Sequence, residues 1–182
     1  ITNEEIEKSK NYLIDKVLDK KVVALILGGP NKYYSFDNKE LSKIFEQIKT
    51  SFILNGYKAI IIPSMRTPKK IIELAKKEFE NDGIIISEID KRAYLSSFAI
   101  ASCIVVTCDS TSMISEAAIS GKPIFVAHMK TKKNNYRFKK FFELFKQIGI
   151  TRDLGEKVEI WSYKKHNEAE RIGNLIKDKI KN

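Results

Sequence analysis

The chain has 182 residues, 43% of them hydrophobic and 31% charged. That is enough for one compact domain with its own core, and it excludes a disordered or fibrous chain. The formal charge of +10 suits a nucleic acid, an anionic membrane surface or a phosphorylated small molecule, but it also follows from general lysine enrichment, so only local clusters inform.

The chain opens at Ile1, which reads as a piece of a longer protein, and its polar first stretch does not read as a signal peptide. Thr2 and Glu5 have the spacing of a capping box. The helix they open carries Leu13, Ile14, Val17 and Leu18 on one face, and residues 1–20 are expected to form an inter-domain linker helix. That apolar face either packs on this domain or covers a neighbouring one.

Five short apolar runs follow, at 22–27, 57–62, 84–86, 103–107 and 123–127. Each is rich in Ile and Val and bounded by turn residues, so each is predicted to be a buried strand. Strands apolar on both faces belong to a parallel sheet covered by helices on both sides. The intervening segments have helical period. Leu41, Ile44, Phe45, Ile48 and Phe52 form one stripe, and Ile71, Ile72, Leu74, Ala75 and Phe79 another. Thr67 and Pro68 read as a hydroxyl cap and a first-position proline. Further helices are expected over 94–101, over 112–120 with stops at Gly121 and Pro123, and over 135–148 with a stop at Gly149. The order is β-α repeated, which predicts an α/β, Rossmann-like, three-layer α/β/α fold over 21–166. A last amphipathic helix is expected over 167–182. Cys103 and Cys108 lie five apart, on opposite faces of a strand, so they read as buried free thiols. His128 and His166 stand alone, and no metal site is expected.

In such a sheet, ligands bind beyond the carboxyl ends of the strands. After the first run come Gly28, Gly29, Asn31 and Lys32. The glycines either let backbone approach a ligand or make an ordinary tight turn. After the second come Ser64, Arg66 and Thr67, at a helix start suited to an anion. After the third, the polar stretch 87–92 carries only a faint signal. After the fourth come Asp109, Ser110, Thr111, Ser112 and, one helical turn on, Glu116. Free amides and hydroxyls there suit a diphosphate, and the carboxylate suits ribose hydroxyls. The plain alternative is that Asp109 or Ser110 caps the helix and Glu116 is solvated. Three candidate anion sites at three strand ends favour one phosphate-bearing ligand.

The segments L27-G-G-P-N-K, S64-M-R-T-P, V106-T-C-D-S-T-S-M-I-S-E-A, G121-K-P, G149-I-T-R and W161-S-Y together resemble the C-terminal half of the mitochondrial fission (elongated mitochondria) family of plants and bacteria. That family is similar to glycosyltransferases of the GT-B fold, whose C-terminal domain binds a nucleotide-sugar donor. The resemblance implies that this chain binds such a donor, expected to be a UDP-sugar. It also implies an N-terminal half that carries the acceptor site, to which helix 167–182 returns. A glycosyl-transfer activity is expected, with a binding or scaffold module that kept only the fold as the alternative. No cofactor is expected, and the acceptor is left open, with a lipid-linked molecule one option. Two departures stand out. Met65-Arg66 occupies a place where the family tends to have two arginines, and Lys164-Lys165-His166 replaces an acidic residue and a proline. Eight residues from Glu116 stand Cys108 and Ile124, so the two-glutamate pattern of many retaining GT-B enzymes is absent and no catalytic residue is assigned.

The segment 130–140 gathers Lys130, Lys132, Lys133, Arg137, Lys139 and Lys140 around Tyr136 and Phe138. It is either a solvated face or a contact for an anionic membrane. Nucleic acid ranks last, because no recognition motif accompanies it. A cytoplasmic protein, peripheral to the inner membrane, is the expected setting.

Overall fold

The computed structural model describes residues 1–17, 20–155 and 158–163. Its centre is a six-stranded parallel sheet in the order β3-β2-β1-β4-β5-β6. The strands are β1 (Val22–Leu27), β2 (Lys58–Pro63), β3 (Gly83–Ile85), β4 (Cys103–Thr107), β5 (Ile124–Ala127) and β6 (Thr151–Asp153). All five apolar runs are therefore strands, shifted by at most a residue at their ends. Every residue of β1 and β4 is buried, so both faces of the sheet centre are covered.

The helices are α1 (Asn3–Ser9), α2 (Asn11–Ile14), α3 (Asn38–Ser51), α4 (Lys69–Glu78), α5 (Lys91–Ile100), α6 (Thr111–Ala118) and α7 (Tyr136–Gln147). The α3 stripe is buried as its spacing requires, and Phe45 meets Phe79 after α4 edge-on at 5.4 Å. Phe52, at the end of α3, meets Phe125 of β5 at 5.7 Å, which ties this helix to the sheet.

The capping box is present, with Thr2 and Glu5 exchanging both bonds. Residues 1–17 form two short helices seated on α5, and Ile6, Leu13 and Val17 are buried. The Ser96 hydroxyl donates to the Lys10 carbonyl and accepts the Leu13 N–H, both at 3.1 Å. Leu13 and Val17 of the expected apolar face are thus used within the domain, whereas Ile14 is exposed. Leu18 and the expected helix 167–182 lie outside the described residues.

Two local readings change, and one strand is added. Thr67 does not cap α4: the helix begins at Lys69, and its N-cap is Pro68, which has no side-chain bond. Helix α5 starts three residues before the apolar pattern does, because Asp90 accepts the N–H groups of Arg92 and Ala93 and supplies the cap. Strand β6 has no apolar run, since Arg152 and Asp153 lie exposed on the sheet edge and only Thr151 is buried.

The strand order reverses between β1 and β4, which are direct neighbours. Such a switch point opens a crevice beyond the carboxyl ends of the two strands.

Candidate functional site

At that crevice the segments after β1, β2 and β4 are bonded into one unit. Asp109 is its centre, with a side chain that is 0% exposed. Its Oδ2 accepts the Gly29 N–H at 2.9 Å and an Arg66 guanidinium N–H at 3.0 Å, and its Oδ1 accepts the Thr107 hydroxyl at 2.7 Å. Thr107 in turn accepts the Gly28 N–H at 2.8 Å. Arg66 also donates to the Gly29 carbonyl at 3.2 Å. Burial pushes the Asp109 carboxyl above the usual carboxylate range, while Gly29, Thr107 and Arg66 pull the other way.

The glycines serve this packing. A Cβ on Gly28 would lie 2.1 Å from Asp109 Oδ2, and one on Gly29 would lie 2.2 Å from the Arg66 carbonyl oxygen. The close approach is made by the protein's own Asp109 and Arg66, and both glycine amides are engaged. Asn31 continues the same structure. Its amide donates to the Asp109 carbonyl at 3.1 Å, and its Oδ1 accepts the N–H groups of Tyr33 and Tyr34. Lys32 is exposed, with its ammonium 5.1 Å from the Tyr33 ring centre.

After β2, Ser64 donates its N–H to the Leu27 carbonyl at 3.0 Å, which fixes this turn to the end of β1. The Thr67 hydroxyl lies 2.5 Å from the Gly28 carbonyl and 3.0 Å from the Leu27 carbonyl, and it accepts the Ser64 N–H at 2.9 Å. Ser64 Oγ and Thr67 Oγ1 are 3.2 Å apart. These two hydroxyls thus brace the loop from within. The side chain of Arg66 remains 44% exposed, and among the described residues two of its five N–H groups find acceptors, which leaves donors for a ligand.

After β4, Ser110 is the N-cap of α6 but makes no side-chain bond to the helix amides. Its hydroxyl lies instead 3.1 Å from that of Ser112. Neither Asp109 nor Ser110 caps α6. Among the described residues, the first-turn amides of α6, including those of Thr111 and Ser112, have no side-chain acceptor. They lie at the positive end of the helix dipole, one residue beyond the Asp109 unit. Glu116, half-buried in the next turn, accepts the Tyr94 phenol at 2.8 Å through Oε2. Burial, with Glu116 alongside, drives the Tyr94 pKa far above its ordinary value, so the phenol stays a donor.

The structure thus joins Gly28, Gly29, Asn31, Ser64, Arg66, Thr67 and Asp109 in one bonded unit, with Ser110, Thr111, Ser112 and Glu116 on the helix that follows it. Thr107 and Tyr94 were not singled out in the sequence. Thr107 carried a usable signal, because a hydroxyl that ends a buried strand must find partners. Tyr94 carried none, since its pairing with Glu116 spans 22 residues.

The arrangement can now be set beside known proteins. The sequence model of the Mitochondrial fission ELM1 family matches residues 1–180. The chain belongs to this family. It is 31% identical over 170 residues to Uncharacterized protein RP120 of Rickettsia prowazekii (strain Madrid E), covering 89% of this chain and 48% of that protein. It is 24% identical over 168 residues to Mitochondrial fission protein ELM1 of Arabidopsis thaliana, covering 90% of this chain and 39% of that protein. The chain therefore spans about half, or less, of the length of these relatives. Among solved structures, it is similar to the UDP-GlcNAc 2-epimerase of Methanocaldococcus jannaschii, with a TM-score of 0.62, 21% identity, and coverage of 96% of this chain and 50% of that one. The epimerase from Neisseria meningitidis bound to UDP-GlcNAc gives a TM-score of 0.51, 16% identity, and coverage of 94% and 40%. The fold is accordingly the Rossmann-like domain type of GT-B proteins.

Proposed function

We propose that this chain is the donor-binding domain of a GT-B-type glycosyltransferase of the ELM1 family, and that the donor is a nucleoside-diphosphate sugar, foremost a UDP-sugar. The observation that carries the reading is the pairing of the uncapped α6 N-terminus with Arg66, which Asp109 holds at the switch point. Both are positive, both keep free donors, and both stand where a parallel sheet binds its ligand. The similar epimerase fold, solved with UDP-GlcNAc and UDP in the Methanocaldococcus jannaschii enzyme, supports the choice of nucleotide.

In this reading, the amides and hydroxyls of Thr111 and Ser112 hold the diphosphate, and Ser110 assists through Ser112. The remaining N–H groups of Arg66 neutralise the charge that builds on the leaving diphosphate. Glu116 takes the ribose hydroxyls, and Lys32 adds positive charge at the rim. Gly28, Gly29, Asn31, Ser64, Thr67 and Asp109 shape the loops that present them. Transfer requires an acceptor face from another part of the protein, so this domain alone binds donor without turning it over. In this reading the domain acts in the cytoplasm. The second reading is a non-catalytic module that kept the fold. It is favoured by the internal use of Asp109 and of both glycine amides.

Calorimetric titration with UDP, GDP, ADP and UDP-sugars tests the proposal. One nucleotide should bind, and Arg66→Ala and Glu116→Ala should each weaken it on the order of ten- to a hundredfold, the worth of a hydrogen bond to a charged group. Silence from every nucleotide, with the full-length protein as well as with this chain, would sink the donor site. Binding without hydrolysis or transfer in the full-length protein would select the non-catalytic module.

A further inference from the structure

The segment leading into α7 concentrates positive charge, with the Glu40 carboxylate on the Lys130 N–H and the Tyr136 ring beside Lys140 as its partial partners. Lys130, Lys132, Lys133, Arg137, Lys139 and Lys140 fall within 130–140, which contains no acid. Among the described residues, none of the six is in an ion pair, although Lys43, Lys49, Lys76, Lys91 and Lys146 all are. The cluster sits at the N-terminus of a helix, where the dipole disfavours cations. It gives up stability there unless an anion comes to it.

The same helix exposes apolar side chains. Phe138, Phe141, Phe142 and Phe145 turn inward against the core. Tyr136 is 74% exposed, Leu144 50% and Ile148 47%. With Lys140 they follow one another at steps of four, so they share one outward face. The segment is not a loose tail. The Ser35 N–H donates to the Lys130 carbonyl at 2.8 Å, the Lys132 N–H donates to the Tyr33 carbonyl at 2.7 Å, and Tyr34 bridges Thr131. It is therefore fastened to the loop that carries Asn31 and Lys32, at the rim of the switch-point crevice.

We infer that this face docks on an anionic bilayer surface, with the bases over lipid phosphates and Tyr136, Leu144 and Ile148 at the level of the acyl boundary. Aliphatic side chains beside the bases favour a bilayer over nucleic acid, which rewards aromatic stacking and not exposed Leu and Ile. The crevice rim would then face the membrane, within reach of a substrate that resides in it. The inference stands apart from the donor reading, because it needs no nucleotide.

The test is sedimentation of this chain with vesicles of phosphatidylcholine alone and with vesicles in which phosphatidylglycerol replaces part of it, at low and high salt. The chain should pellet with the anionic vesicles only, and less so as salt rises. Neutralising Lys133, Lys139 and Lys140 to Gln should weaken partitioning on the order of a hundredfold, about fivefold for each lysine. The same change at Lys16, Lys39 and Lys77 should do far less. Leu144→Ser with Ile148→Ser should remove the binding that survives high salt. Equal losses from both lysine triples would mean that overall charge, not this face, does the binding, and would overturn the inference. Absence of vesicle binding would overturn it too, as would retention by single-stranded RNA in place of vesicles.

Discussion

At the scale of single residues, Tyr94 shows how a distant side chain sets up a binding group. Its phenol holds one oxygen of Glu116, and its ring packs on Phe98 at 4.6 Å, so the carboxylate is aimed without help from the ligand. Tyr94→Phe keeps the ring and removes only that bond. Under the donor reading, affinity for UDP should fall several-fold while affinity for 2′,3′-dideoxy-UDP stays nearly constant, because only the ribose contact has loosened. Folding stability should fall by about 1.5–3 kcal/mol, the worth of a hydrogen bond to a charged group. Equal losses for both nucleotides would show that Tyr94 supports α6 as a whole and not Glu116 in particular. The buried thiols behave otherwise. Burial holds Cys103 and Cys108 up to about 12, so neither supplies a nucleophile near neutral pH.

At the scale of elements, the loops carry the tightest geometric demands. The residue types of the β1–α3 loop suggested a cradle for a ligand, but its glycines are occupied from inside by Asp109 and by the Arg66 backbone. Gly29→Ala separates the two uses. Backbone cannot yield as a flexible side chain does, so the loop must move, at a cost of about 1–3 kcal/mol seen in the urea midpoint without any nucleotide present. A neutral effect on stability with lost nucleotide binding would return the glycine to the ligand. The same comparison shows what was legible in the sequence. The strands were, because Ile and Val runs bounded by turn residues leave few options for burial. β6 was not, because an edge strand of Thr151, Arg152 and Asp153 needs only backbone pairing with β5. The Thr67 hydroxyl reads locally as a cap, but its partners, the carbonyls of Leu27 and Gly28, lie 40 and 39 residues away. The identity of the candidate site residues could be listed from the strand ends. Whether each points outward or braces its neighbours could not, because that depends on which strands become adjacent.

At the scale of the whole molecule, strand order decides where the crevice opens. By returning from β3 to place β4 beside β1, the chain brings residues some 80 apart into bonding distance, as between Gly29 and Asp109. The fold thus assembles one edge that carries charge and hydroxyls, while α1 and α2 close the face of α5. The basic face of α7 is fixed to that edge through the Tyr34–Thr131 bridge, so a donor and a surface-bound partner would meet on one side of the domain.

The bonded unit around Asp109 has a dynamic consequence. Loops at a ligand edge usually open with little free energy and exchange their amide hydrogens quickly. Here the N–H groups of Gly28 and Gly29 end on buried oxygens of Thr107 and Asp109, which cannot be reached without parting β1 from β4. Those two amides should exchange as slowly as the amides of the central strands, while those of Thr111 and Ser112 exchange fast until a ligand arrives. Residue-resolved hydrogen exchange would show it as two neighbouring populations. Fast exchange at Gly28 and Gly29 would mean that the crevice breathes as its own unit. Slow exchange would mean that this edge is as permanent as the sheet beneath it, and that only the helix end waits for its partner.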